Sequence, residues 1–156
     1  MAELKSKSIK DSIKELKFFD GISEEMIEYI SHCGQNHHFH QNQYRGKEGE
    51  AAEHFYIIRK GKVSLQLHHH IKGTIMLKTL HPGDIVGISW IVPPYRLNFD
   101  MRALEETSVI EFNGKCIRDK CEADPKLGYL LIKKFTEMLS ERLKDTRMQL
   151  LDVYHQ

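Results

Sequence analysis

The chain has almost no excess of either charge, with 23 lysines and arginines against 22 aspartates and glutamates in 156 residues. Binding nucleic acid through its phosphates needs a basic surplus, so direct nucleic-acid contact is not expected. Long apolar runs are also missing. No stretch of about 18 apolar residues is present to cross a bilayer, and the opening Met-Ala-Glu-Leu-Lys-Ser-Lys lacks the apolar centre of a secretory signal. These absences predict a cytoplasmic protein without a membrane anchor. Cysteine is scarce: Cys33, Cys116 and Cys121 form an odd set without Cys-x-x-Cys spacing, which predicts reduced packing thiols. Of only four prolines and one tryptophan, two prolines and Trp90 fall in one stretch, Gly83 to Ala103. That stretch lies between two strand-like segments, as a binding loop in a β scaffold would.

The length suits one domain around one core, here 1–156. Residues 1–33 read as N-terminal helices, 35–112 as a β-barrel containing the loop 83–103, and 113–156 as C-terminal helices. Ser8 to Leu16 predicts a surface-lying helix with Ile9, Ile13 and Leu16 on one face. Ser23 before Glu24-Glu25-Met26 reads as the N-cap of a second helix, which Gly34 should end.

From Gln35 to Phe112 the period changes to two. Phe55-Tyr56-Ile57-Ile58 and Val63-Ser64-Leu65-Gln66-Leu67 read as strands joined in a hairpin at Lys60-Gly61-Lys62. Strict alternation in the second predicts Val63, Leu65 and Leu67 facing a core and Ser64 and Gln66 facing out. Ile71 to Leu80 gives a further strand, with His68-His69-His70 at an exposed hairpin end. Phe99 to Leu104 and Ser108 to Phe112 read as a final strand pair around Glu105-Glu106-Thr107.

Asn113 is placed to cap a short helix carrying Cys116 and Cys121, and Asp124-Pro125 opens a last helix reaching Tyr154. Leu127, Leu131, Phe135, Met138, Leu139, Leu143, Leu150 and Val153 recur along it at helical spacings. One barrel wall would not cover so wide an apolar stripe, which predicts a homodimer through this helix.

Two helices, some eight short strands and two helices follow the order of a cyclic nucleotide-binding domain, and the residues resemble that family too. Glu48 to Val63 is similar to its strand-turn-strand signature, Phe-Tyr-x-Ile-x-x-Gly-x-Val. Leu80-His81-Pro82-Gly83-Asp84-Ile85-Val86-Gly87 is similar to the Leu-x-x-Gly-Asp-x-Phe-Gly before the family's phosphate-binding cassette. The resemblance, to catabolite activator-like regulatory domains, runs from about Leu16 to Tyr154. It implies a mainly β fold with flanking helices, a double-stranded β-helix (jelly-roll) barrel. It also implies a cassette of short helix and loop whose free amides, with a glutamate and an arginine, hold a cyclic nucleotide, cAMP or cGMP. The implied ligand-binding positions are Gly87, Ile88, Ser89, Trp90, Tyr95, Arg96 and Leu97. The Gly-x-Ser-Trp-x-x-Pro-Pro-Tyr run resembles that of a bacterial group of stand-alone domains without a helix-turn-helix.

The cassette departs from the family pattern at two places. Ile88 stands where the ribose-binding glutamate would be, with Ser89 the remaining polar group. Counting back from Met101-Arg102-Ala103, the phosphate-binding arginine position falls on Leu97, and Arg96 is one residue early. In a loop such a slip can be absorbed; in a strand it turns the side chain to the wrong face. Arg96 is thus either an anion contact or a structural arginine. Arg102 reads as a strand residue, Trp90 as a packing anchor before a stacking platform, and Gly87 as a residue needed for backbone geometry.

The expected function is a non-enzymatic regulatory or sensor module. A cyclic nucleotide or related small anion at the cassette would shift the C-terminal helices, and the signal would pass to a protein partner. An alternative is a domain that no longer binds nucleotide and acts as a dimerisation or protein-interaction scaffold. A third is a cupin-like metalloenzyme using His38 and His40, which share a strand face in a His-x-His near His37, although no carboxylate or third histidine follows at cupin spacing. Nothing near Ser89 or Cys116 predicts a nucleophile.

Overall fold

The computed structural model describes residues 8–155; the opening segment 1–7, read for a signal sequence, lies outside them. Helix α1 (Ile9–Lys14) is capped by Ser8, and α2 (Glu24–Ser31) by Ser23, whose hydroxyl accepts from Met26 N. Helix α1 lies on the surface as expected, with Ile13 buried, Ile9 and Leu16 packed beside it, and Asp11 and Lys14 exposed. Gly34 does not end α2: the helix stops at Ser31 and Gly34 starts a strand. A Cβ there would lie 2.9 Å from the Phe112 ring, so the missing side chain lets two strands close.

Eight strands follow: β1 (Gly34–Phe39), β2 (Tyr44–Gly46), β3 (His54–Lys60), β4 (Val63–His69), β5 (Gly73–Leu80), β6 (Ile85–Val86), β7 (Asp100–Ala103) and β8 (Thr107–Asn113). They form two antiparallel four-stranded sheets, ordered β1-β8-β3-β6 and β2-β7-β4-β5. This is the jelly-roll architecture the sequence predicts. Two local readings need correction. The turn at Gly61 does not make a hairpin, because β3 and β4 belong to different sheets. β7 and β8 likewise part into opposite sheets. The hairpin lies between β4 and β5, with register from Val63↔Leu80 to His69↔Gly73.

Two apolar layers result. Phe39, Tyr56, Ile58, Val63, Leu65, Val86, Met101 and Val109 fill the barrel. Phe55, Ile57, Ile110 and Phe112 point from the other face of the first sheet into a layer closed by Ile13, Ile27, Ile30, Ile117, Leu127, Leu131 and Phe135 of the helices. Covering on both faces is why Phe55-Tyr56-Ile57-Ile58 is apolar without alternation. Ser64 and Gln66 are buried, contrary to expectation. Gln66 donates to Ser64 Oγ at 3.1 Å, and Tyr44, with Arg102 over its ring at 5.2 Å, covers them from outside.

Asn113 caps α3 (Gly114–Ala123), and Asp124 caps α4 (Pro125–Tyr154) with Pro125 in its first turn. Cys33 and Cys116 form a disulfide with Cα atoms 5.7 Å apart, joining the α2–β1 junction to α3. The expectation of three reduced thiols is therefore wrong for this pair, since the fold brings together residues too distant in sequence for spacing to reveal. Cys121 remains a thiol, and burial pushes its pKa up. Among the described residues no helix is long and apolar enough to cross a membrane.

Candidate functional site

Segment 83–99 contains no helix, so the amide cradle expected of a short cassette helix does not form. It is built from turns. Asp84 Oδ2 accepts from His81 N at 2.8 Å, which fixes the Pro82-Gly83 corner ahead of β6. Gly87 has φ 101°, and a Cβ there would lie 3.3 Å from His54 O, so both conformation and contact require glycine. Ile91 N then donates to Ile88 O, and Tyr95, at φ 54°, donates from its N to Val92 O.

From Tyr95 to Leu97 the chain is extended and bonds antiparallel to residues 49–52. Ala52 N donates to Tyr95 O at 2.7 Å, Leu97 N to Glu50 O at 2.9 Å, and Gly49 N to Leu97 O at 2.9 Å. Arg96 is bridged to Ala51 within this ladder. Side chains in such a segment alternate between faces. Leu97 turns into the barrel mouth, and Arg96 turns away, its Nη1 donating to Gly49 O at 3.4 Å.

Two cavities flank the loop. One, of about 170 Å³, lies in the barrel mouth between Gly87, Leu97, Arg45, Glu50, Glu53 and His54. Ligand pockets usually measure about 300–1,000 Å³, so this one is small. Its lining residues Arg45 and His54 belong to a polar cluster centred on a buried carboxylate. Glu111, 3% exposed, accepts from Arg45 Nη2 at 2.8 Å and from Gln35 Nε2 at 3.1 Å, with His54 Nδ1 at 3.5 Å. Burial pushes the Glu111 pKa up, but the bonds from Arg45 and Gln35 and the nearby charges of His54 and Arg45 outweigh it and hold the carboxyl below its usual range. Arg45 is thereby neutralised. Tyr56 lines the same cavity, and burial is the main reason its pKa is pushed up to about 12.

The second cavity, about 460 Å³ and mainly apolar, lies on the other side of the loop against α4. Ile88, Ser89, Pro93, Arg96, Ile132 and Leu139 are among its walls. The predicted site residues thus do not converge: Gly87 and Leu97 face the first cavity, and Ile88, Ser89 and Arg96 the second. Trp90 faces neither. It is 2% exposed, stacked on Phe55 at 4.9 Å and edge-on to Phe135 at 5.3 Å, which is the packing role.

The loop is tied to the C-terminal helices. Arg118 of α3 donates to Trp90 O at 2.6 Å, and its guanidinium sits 4.3 Å from the Tyr95 ring centroid. Arg142 of α4 donates to Ile85 O, two residues before Gly87; burial lowers its pKa. Arg45, His54, Glu111, Arg118 and Arg142 carry the contacts at the cavity and the loop, and four of the five have no distinguishing sequence context. Only Glu111, a lone charge among the apolar residues of β8, left a signal.

The His-x-His pair of the cupin reading also fails to enter the barrel. Phe39 points inward, whereas His38 and His40 are exposed on the outer face.

A family model described as "Cyclic nucleotide-binding domain" matches residues 36–124. No curated protein sequence matches the chain. Among solved structures, a cyclic nucleotide-binding domain from Methylobacillus flagellatus superposes with a TM-score of 0.79 at 18% identity, covering 93% of this chain and 82% of the other. The Thermus thermophilus catabolite activator protein gives 0.71 at 20% identity, over 88% of this chain and 62% of that one. The regulatory domain of Toxoplasma gondii PKA, crystallised with cAMP, gives 0.68 at 18% identity, over 83% and 49%. At these identities the likeness is one of fold.

Proposed function

The chain belongs to the cyclic nucleotide-binding domain family, and from that premise we propose that it is a non-catalytic regulatory module whose cassette links barrel to helices without gripping a cyclic phosphate. The observation that carries this reading is the alternation at Arg96 and Leu97. The leucine occupies the cavity side of the extended segment, and the arginine faces away. A charge-assisted bond to phosphate contributes about 1.5–3 kcal/mol, and here the cassette position that would supply it holds a leucine. Glu50 and Glu53 line the same small cavity, which adds repulsion for an anion.

The module works through α4. Leu127, Leu131 and Phe135 are buried against the barrel, while Ile132, Leu139, Leu143, Leu150 and Val153 are exposed. With Thr136 and Thr146 the exposed set keeps an unbroken four-three spacing, the pattern of a coiled-coil seam. Both threonine hydroxyls donate to their own helix, Thr136 to Ile132 O and Thr146 to Arg142 O, so burial in a seam would leave neither unpaired. A homodimer through α4 then presents the regulatory surface to a protein partner. Any ligand would act only by favouring one arrangement of loop and helices over another.

A second reading, binding of cAMP, cGMP or a related small anion, is favoured by Arg45 and His54 at the barrel mouth beside Gly87. Isothermal titration separates the two. No heat with cAMP or cGMP up to millimolar concentration is the expected result. Micromolar binding that disappears in a Gly87→Val variant of native fold would replace the first reading with the second.

A further inference from the structure

The outward His-x-His of β1 has a third partner that the sequence gives no means of finding. In the β1–β8 ladder Phe39 lies opposite Thr107, so one step further along the antiparallel register His40 comes opposite Glu106. The Glu106 carboxylate reaches across to both imidazoles, with Oε2 2.6 Å from His38 Nε2 and 3.4 Å from His40 Nδ1. These three ligand atoms lie within 4.8 Å of one another. Donors bonded at 2.0–2.1 Å to a tetrahedral ion stand about 3.4 Å apart, so side-chain adjustments of about an ångström would bring all three onto one metal.

We propose that His38, His40 and Glu106 form a surface site for a divalent transition-metal ion of the zinc class. Two imidazoles and a carboxylate suit zinc, copper or nickel and disfavour magnesium or calcium, which prefer all-oxygen shells. Three protein ligands leave one or more positions for water.

The frame holding the ligands is rigid. The β7–β8 turn carrying Glu106 is packed onto Gly61, where a Cβ would meet Glu106 O at 2.7 Å, and Thr107 Oγ1 donates to Lys62 O and Glu105 O. At the other ligand, His40 N donates to Gln43 Oε1 and Gln43 N to His40 O, closing the β1–β2 turn. Of the two cations beside this row, Arg59 is directed onto Asn36 Oδ1 at 2.8 Å, and Lys60 stands across Ser108 from His38 in the β1-β8-β3 ladder. The site is outside the barrel, at the end of the sheet away from α3, and is independent of any ligand at the cassette.

The test is competition for Zn²⁺ between tag-free protein and a chromophoric chelator near neutral pH. A single equivalent is expected, weakened about tenfold or more in His40→Ala and in Glu106→Gln. It should persist when His68, His69 and His70 are all replaced by alanine. His40, Glu106, His68 and His70 are exposed and His69 is half-buried at the β4–β5 turn, so circular dichroism is used to check that each variant folds. Unchanged affinity in His40→Ala or Glu106→Gln overturns the proposal, as does zinc binding that vanishes only with the three hairpin histidines.

Discussion

Leu97 rests on Gly46: a methyl group at Gly46 would fall 2.5 Å from Leu97 Cδ1. The pair closes the cavity wall that the family resemblance assigns to an arginine. Replacing Leu97 with alanine should widen the cavity beyond its 170 Å³ and lower stability by about 1–2 kcal/mol, less than for a fully buried leucine because Leu97 is only half-buried. Urea unfolding measures the change. A neutral result would mean that the leucine does not support the loop.

Arg118 holds the loop through a carbonyl and a ring at once. Lysine keeps the charge but not the planar group, so Arg118→Lys should loosen residues 88–97 and cost about 1–2 kcal/mol. Trp90, the chain's one tryptophan, reports the change directly. Its emission should shift to the red as the ring gains solvent, and unchanged emission would assign the arginine no role in the loop.

Reduction of the Cys33–Cys116 bond should cost about 2–5 kcal/mol, since it closes a loop spanning 83 positions. Guanidinium unfolding with and without dithiothreitol measures this, and a Cys33→Ser variant should show no further loss on reduction. The disulfide also removes the support that unpaired cysteines gave to a cytoplasmic address, because in that compartment this bond would tend to be reduced.

Glu111 gives the pH dependence its sign. Its pKa in the folded chain is below the ordinary value, so its contribution is present at neutral pH, above the unfolded pKa. It is lost as the pH falls through the folded one. Thermal unfolding should therefore show a drop in stability on the acid side of the 4.5 reference value. Glu111→Gln should flatten that drop at a cost of about 2–3 kcal/mol. Breaking a buried pair usually costs somewhat more, but Arg45 keeps a third of its side chain in water.

The α4 seam predicts concentration-dependent dimerisation by sedimentation. Leu143→Glu with Leu150→Glu should give a monomer with an unchanged circular dichroism spectrum, because both side chains are about half exposed in the single chain. A dimer that survives both charges would move the interface elsewhere.

Much of this fold is legible in the sequence where the determinants are local. Ser23, Asn113 and Asp124 cap the helices that their positions predict, because capping needs only residues three apart. Gly61 misleads for the same reason. Its turn has hairpin chemistry, but β8 inserts beside β3, a choice made some fifty positions later in the chain. Ser64 and Gln66 alternate as surface residues do, and only Tyr44 and Arg102, from other strands, cover them. At the loop the register argument over Arg96 could be framed from sequence, but not decided. That depended on whether residues 95–97 bond to 49–52, and hydrogen bonds across the barrel leave no periodic trace.

β8 lies between β1 and β3 in its sheet, yet is the last strand made. During synthesis β1 and β3 must wait for it with open edges, which can pair with other chains. Closing the Gly34↔Phe112 register then joins segments half the chain apart, a slow kind of step because loop entropy is lost before contacts form. The nascent chain is therefore at greatest risk of misassociation between the emergence of β1 and that of Asn113. This hazard comes from strand order alone and leaves no sign in the finished barrel, where both edges are covered by β8.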